Sequence, residues 1–283
     1  MPEGRARRTR LDRLMADRGL APSRERAQAL ILAGRVLVDS RPAGKAGTMV
    51  PDDAEVVVTS PDHPFVGRGG VKLDGALTRL GVEVADRVAL DVGASTGGFT
   101  DCLLRRGARR VYALDVGTGQ LDWSLRQDAR VVVMEKVNAR HLQPGDLPEA
   151  IDLAVVDVSF ISLRLVLPPL RPLLAPGGRV VALVKPQFEV GRNDVGRGGI
   201  VRDPELHRRA VLAVAEAAVL AGFALAGGCP SPLPGAEGNV EFFLLLDGAA
   251  ASPTGLEAAA LAAAITAATD RPTDPEAGGT CEG

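Results

Sequence analysis

The sequence predicts an α/β protein built on a doubly wound, mostly parallel sheet, preceded by a small N-terminal α+β domain. Three observations predict it. RVALDVG, RRVYALDV, ARVVVM, IDLAVVDVSF and GRVVALVKP are Val-rich apolar runs, the pattern of strands buried on both faces. Helical segments separate several of them, the alternation that builds a parallel sheet. Before residue 60 the pattern differs, with two short helical stretches followed by short β-branched runs.

Residues 1–8 read as a disordered basic lead. Leu11, Leu14 and Met15 then recur at helical spacing, and Gly19 stops that helix. Ser23 is an N-cap for a second helix with Glu25 in its first turn. Ala27, Leu30 and Ile31 form its expected buried face, and Gly34 ends it. VLVD and EVVVTS read as strands. The N-terminal domain is placed at 9–62, and the Pro- and Gly-rich stretch 63–70 is an interdomain linker. The α/β domain spans 71–247. Within it, Asp203 caps a helix that opens at Pro204 and ends at Gly222, and two final strands follow. The Gly- and Arg-rich segment from Phe188 to Asp203 has no periodicity and reads as a mobile loop over the site. Residues 248–283 are a low-complexity tail, with a transient Ala-rich helix at 257–268.

Charge is unevenly spread. The chain's net charge is -2, yet residues 1–45 carry eleven basic side chains against five acids, and residues 248–283 carry one base against five acids. A basic head points to a polyanionic partner. Cys102, Cys229 and Cys281 are odd in number and widely spaced, which suggests neither a disulfide framework nor a zinc site, and no metal is expected. No signal peptide or membrane span is visible, so a cytoplasmic, reducing location is expected.

The strongest local signal is ALDVGASTGGFTDCLL. A strand ends at Asp91, a turn of small residues follows, and a helix begins near Gly98. Gly93, Gly97 and Gly98 would let a ligand approach the backbone. The next strand ends in Asp115, where a carboxylate can accept both hydroxyls of an adenosine ribose. A third strand leads to Asn138, placed to edge an adenine. Gly93 to Gly97 also fits G-x-S-x-G, the nucleophile elbow of serine hydrolases. That fold needs a late histidine at a strand end. His207 lies in a helix, and His63 and His141 come too early; these isolated histidines read as surface or linker residues. Lys72, Asp157, Lys185 and Glu241 sit where strands end or the linker closes. Charges there are poorly placed for stability and well placed for chemistry.

These motifs closely resemble the TlyA family, bacterial 2'-O-methyltransferases of ribosomal RNA historically labelled haemolysins. RLDRLMADRGLAPSRERAQALILAGRVLVD is similar to the αL-type RNA-binding module of that family. FVGRGGVKLDGAL resembles its domain junction. LDVGASTGGFTD, ALDVGTGQL, VDVSFISL, LVKPQFE and GNVEFFLLL resemble its FtsJ-like, Rossmann-like methyltransferase domain. The resemblance covers about residues 9–247. It implies a Lys-Asp-Lys-Glu tetrad at Lys72, Asp157, Lys185 and Glu241. It implies S-adenosylmethionine over Gly93, Ala94, Ser95, Thr96 and Gly97, with Asp115 on its ribose; Asp91, Gly98 and Asn138 are further candidate cofactor contacts from their places at the strand ends and the turn. The implied substrate is a cytidine 2'-hydroxyl in small- or large-subunit rRNA, free or within a ribosomal subunit. Arg10, Arg13, Arg24, Arg26, Arg35 and Arg68 are the candidate RNA contacts. Two other functions remain to be weighed: a non-catalytic ribosome-assembly factor on the same scaffold, and a pore-forming haemolysin.

Overall fold

A computed structural model describes residues 7–21, 23–59, 63–235 and 238–248. The acidic tail past Gly248, the Ala-rich stretch 257–268 within it, the first six residues of the basic lead and Cys281 lie outside them.

The N-terminal domain consists of β1 (Arg8–Arg10), α1 (Leu11–Asp17), α2 (Arg24–Leu32), β2 (Val36–Val38), β3 (Arg41–Pro42), β4 (Met49–Pro51) and β5 (Val56–Val58). The helices begin and end where their sequence signals lie. Ser23 caps α2 by accepting from the Arg26 amide at 3.2 Å, and Gly19 and Gly34 follow the helices with left-handed backbone. Leu11, Leu14, Met15, Ala27, Ile31, Val36, Val50 and Val56 close a small core. Beyond the expected strands, Arg8 is no part of a disordered lead, because β1 pairs antiparallel with β4. Asp12 organises the front of this unit. Its fully buried carboxylate accepts from Arg10, Arg24 and Gln28 at 2.8–3.2 Å. The Arg10 hydrogen bond above all holds that carboxyl well below the usual carboxylate range, against the opposing effect of burial.

The larger domain opens with α3 (Arg68–Leu80), so the last three residues of the expected linker are the first turn of a helix. There follow β6 (Val88–Val92), α4 (Gly98–Arg105), β7 (Arg110–Asp115), α5 (Trp123–Arg126), β8 (Val131–Glu135), β9 (Ile151–Val156), α6 (Leu163–Leu170), β10 (Leu174–Val184), α7 (Pro186–Glu189), α8 (Pro204–Leu220), β11 (Ala224–Pro230) and β12 (Phe242–Asp247). The sheet runs in the order β11-β12-β10-β9-β6-β7-β8. Its β8-to-β10 portion is parallel, and β12 is antiparallel to both neighbours. From β6 the chain winds first towards β8 and then, at β9, away on the other side. That reversal makes a switch point at the carboxyl ends of β6 and β9.

Alternation along β6 assigns the two faces. Val88, Leu90 and Val92 face a core shared with Leu163, Leu167, Val211 and Val214 of α6 and α8. Ala89 faces the other core, with Leu73 and Leu77 of α3 and Leu103 of α4. Asp91 shares that second face, one residue before the strand's end, and is fully buried. It accepts from Thr100 Oγ1 of α4 at 2.6 Å.

Two further sequence expectations change. The segment from Phe188 to Asp203 is fastened rather than free. Val201 N donates to Asn239 Oδ1 (3.0 Å), Asn239 Nδ2 donates to the Gly199 carbonyl (3.0 Å), and Arg209 of α8 pairs with Asp194 (2.7 Å). His207 is not a surface residue. It is buried against Phe242 with its Nε2 2.8 Å from the Val201 carbonyl, so it belongs to the same clasp.

Candidate active site

The switch point carries a cavity of about 640 Å³. Lys72, Asp157, Lys185 and Glu241 all line it, as do Gly93, Ala94, Ser95, Thr96 and Gly98 of the turn after β6. The fold explains how residues so far apart converge. Asp157 and Lys185 each follow immediately after a parallel strand, β9 and β10. Glu241 immediately precedes β12, and because β12 runs antiparallel its start falls on the same sheet edge. Lys72 comes from α3, which crosses the start of α4 closely. A Cβ on Gly98 would stand 2.9 Å from Gly70 N and 3.2 Å from Gly69 Cα, so that approach needs a glycine at 98.

The four charges form two pairs. Lys72 Nζ is 2.6 Å from Glu241 Oε2, and both are buried. Lys185 Nζ is 2.6 Å from Asp157 Oδ1 and donates to Ser159 Oγ at 3.0 Å. The first pair is buried and the second half-buried, and such pairs offset their desolvation only with close geometry, which both have.

The glycine turn works differently from the expectation that its glycines admit a ligand. A Cβ on Gly93 would meet the Asp157 carbonyl oxygen at 2.4 Å, and one on Gly97 would meet Leu125 Cδ1 at 2.2 Å. Both positions have left-handed backbone, at φ 87° and 96°. Gly93 thus lets the ends of β6 and β9 close together and sets Asp157 beside the turn. Gly97 lets α5 pack under it and does not itself line the cavity. Ala94 and Ser95 also border a smaller pocket with Asp115, Gln120 and Glu135. There Asp115 accepts from the Ser95 amide at 2.8 Å and the Gly117 amide at 2.7 Å. Asp91 lies beneath the turn rather than in the cavity, and burial pushes its carboxyl up to about 7. Asn138 joins neither pocket; its side chain accepts from the Arg140 amide and caps a short 3₁₀ turn.

The candidate RNA contacts divide. Arg10 and Arg24 converge on Asp12, Arg13 pairs with Asp17, and Arg35 donates to the Thr59 carbonyl. These side chains remain part-exposed or exposed. Arg26 reaches out of the module to Asp122 of the larger domain, and Arg68 lines the cavity.

Several site residues have no signal in the periodicity. Leu32, Ala33 and Lys45 of the N-terminal domain form part of the cavity wall. Phe160 is 92% exposed, has left-handed backbone, and its ring lies 5.2 Å from that of Phe188 at the same rim. A phenylalanine three residues after Asp157, just past the end of that apolar strand, is the one clue the sequence offered. Among the described residues, no group of three or more His, Cys, Asp or Glu could hold a metal ion, and no helix is long and apolar enough to cross a membrane.

A basic two-helix module ahead of a switch-point cavity with a glycine turn and paired charges defines a methyltransferase-type domain with an appended RNA-binding unit. The FtsJ-like methyltransferase family matches residues 65–247, and the S4 domain matches residues 9–56. The 16S/23S rRNA (cytidine-2'-O)-methyltransferase TlyA of Mycobacterium tuberculosis is 53% identical over 242 residues, covering 85% of this chain and 90% of that protein. Hemolysin A of Brachyspira hyodysenteriae is 40% identical, covering 82% and 97%. A Streptococcus thermophilus structure described as a candidate hemolysin aligns at 40% identity and a TM-score of 0.70, covering 93% of this chain and 96% of that one. The chain belongs to the TlyA family of rRNA 2'-O-methyltransferases.

Proposed function

We propose that this protein transfers a methyl group from S-adenosylmethionine to the ribose 2'-hydroxyl of a cytidine in small- or large-subunit rRNA, working in the cytoplasm. The observation that carries this reading is the convergence of two Lys–carboxylate pairs on the cavity that the glycine turn borders.

The chain's residues suit the cofactor. Ala94 and Ser95 border both pockets, so a ligand along the turn spans from Asp115 to the tetrad. Each Asp115 oxygen already accepts one amide and keeps a second lone pair, enough for two ribose hydroxyls. When bound, S-adenosylmethionine supplies an activated methyl group. The protein's own task is to align the hydroxyl and to take its proton. Alignment alone supplies much of such a rate, and a general base typically adds about 10²–10⁴-fold. Lys185 Nζ, aimed by Asp157 and Ser159, is the group that takes the proton, acting as the neutral amine after giving up its own proton to solvent. Lys72 and Glu241 hold the opposite side of the cavity. Phe160 and Phe188 offer an aromatic face on which an unstacked base can rest, the usual way a protein reads single-stranded RNA. The basic module of residues 9–62 grips phosphates and presents the RNA to the catalytic domain at 71–247.

Purified protein incubated with ribosomal subunits and a labelled methyl donor tests the reading. Mass spectrometry of the rRNA fragments is expected to find one methyl group on a cytidine ribose. Cofactor binding with no methyl transfer to any subunit would instead support the non-catalytic assembly factor.

A further inference from the structure

Arg26 stands apart from the other arginines of the N-terminal module. The side-chain contacts of Arg10, Arg13, Arg24 and Arg35 all lie within that module. Arg26 instead crosses to the catalytic domain, where its guanidinium lies 2.9 Å from Asp122 Oδ2. The two side chains are 35% and 19% exposed, so the pair is largely screened from water. Asp122 is tied on both sides. Its other oxygen caps α5, accepting from Ser124 N at 3.0 Å and Ser124 Oγ at 2.8 Å. Its backbone amide donates to the Thr96 carbonyl at 3.1 Å, inside the glycine turn. The same threonine is approached from the other direction by the strap between the domains. A Cβ on Gly67 would stand 3.1 Å from Thr96 Oγ1 and 3.8 Å from Ala33 Cβ. One end of α2 is thus fixed beside the turn through Arg26, while Leu32 and Ala33 at its other end wall the cavity.

We propose that Arg26 and Asp122 are positioning residues: their ion pair pins α2 against the catalytic domain and so sets the register between the RNA held by the module and the 2'-hydroxyl site. Arg26 is therefore a link between domains and not a phosphate ligand. The pair acts through placement, touching neither cofactor nor reacting atoms. The inference rests on the methyl-transfer reading and adds to it how the two domains act as one site. Its physical basis is that in-line transfer tolerates little error, and a displacement of about 1 Å can cost on the order of 100-fold in rate.

The test is a double-mutant cycle on the full-length protein with ribosomal subunits as substrate. Arg26→Gln and Asp122→Asn each remove one charge; asparagine keeps the α5 cap. Each variant is expected to lose roughly ten- to a hundredfold in single-turnover methylation. S-adenosylmethionine affinity and the salt dependence of subunit binding stay at parental values. The double variant loses no more than the worse single variant, because both remove one interaction. Arg26→Lys, which keeps the charge, recovers part of the rate. The opposite result has a distinct signature: Arg26→Gln weakens subunit binding and lowers the salt slope by about 0.7–0.9, as a lost phosphate contact does, while Asp122→Asn methylates like the parent. Singles that match the parent, or losses that multiply in the double variant, also overturn the proposal. An inactive parent would count against the methyl-transfer reading itself, so the two failures are distinguishable.

Discussion

Lys72 and Glu241 are 169 residues apart in the chain and 2.6 Å apart in the structure, one on the first helix of the catalytic domain and the other at the start of its last strand. This contact closes one side of the cavity. Glu241 is 3% exposed, so that lysine, rather than water, is its charged partner.

Removing one partner should therefore cost both stability and activity. Lys72→Met leaves Glu241 as an uncompensated buried carboxylate, a change of about 3–5 kcal/mol. Adding Glu241→Gln removes the stranded charge and should recover much of that stability without recovering methylation. Denaturant midpoints and single-turnover rates on the same three proteins check this. A double variant as unstable as Lys72→Met would mean the loss comes from packing around α3.

Lys185 separates the roles of charge and proton acceptor. Lys185→Ala should abolish methyl transfer while leaving cofactor and RNA binding nearly intact. Lys185→Arg retains the positive charge beside Asp157, but guanidinium does not give up its proton at working pH, so it should fail almost as badly. Robust methylation by the arginine variant would reduce Lys185 to a positioning charge.

The cofactor turn offers a third prediction. Asp115→Ala removes the acceptor of the Ser95 and Gly117 amides and, in the proposed placement, of two ribose hydroxyls, each charge-assisted hydrogen bond being worth about 1.5–3 kcal/mol. S-adenosylmethionine affinity should fall by at least tenfold in titration calorimetry. Gly97→Val should weaken it too, for a different reason: the new side chain strikes Leu125 and Leu121 from a left-handed position and deforms the turn from below. Its melting temperature should fall as well, whereas that of Asp115→Ala should change less.

Asp91 makes stability depend on pH. Burial pushes its carboxyl from an ordinary 3.8 up to about 7; the Thr100 hydroxyl opposes this, and the Asp157 and Asp115 carboxylates add to it. A raised folded-state value means the native protein binds the proton more tightly than the unfolded chain. Its contribution is complete below about pH 4 and is lost as pH rises towards 7, at no more than about 1.4 kcal/mol per pH unit. Asp91→Asn keeps an acceptor for Thr100 and cannot ionise. The difference in stability between parent and variant should change across pH 4–7 and level off above. A difference independent of pH would show that Asp91 does not take up the proton.

Most helices and the apolar strands, with most of their ends, are legible in the sequence alone. Ser23, Asp203, Gly19 and Gly222 act through hydrogen bonds and backbone angles a few residues away, so their effects are legible locally. The sequence also marked Asp157 and Lys185, because a charge at the end of an apolar strand is conspicuous without knowing the fold. The remainder depends on non-local packing. The pairing of Lys72 with Glu241 needed the antiparallel turn of β12 to return a strand start to the active edge. Arg8 needed β4 as a partner to become a strand. The inward demand of Gly93 and Gly97 was hidden, since a glycine looks alike whether ligand or neighbouring backbone fills the space beside it. Arg26 carries the same charge as Arg24, two residues before it on α2. Only the docking of α2 put Asp122 within its reach, because an ion pair is set by separation in space and not by separation along the chain.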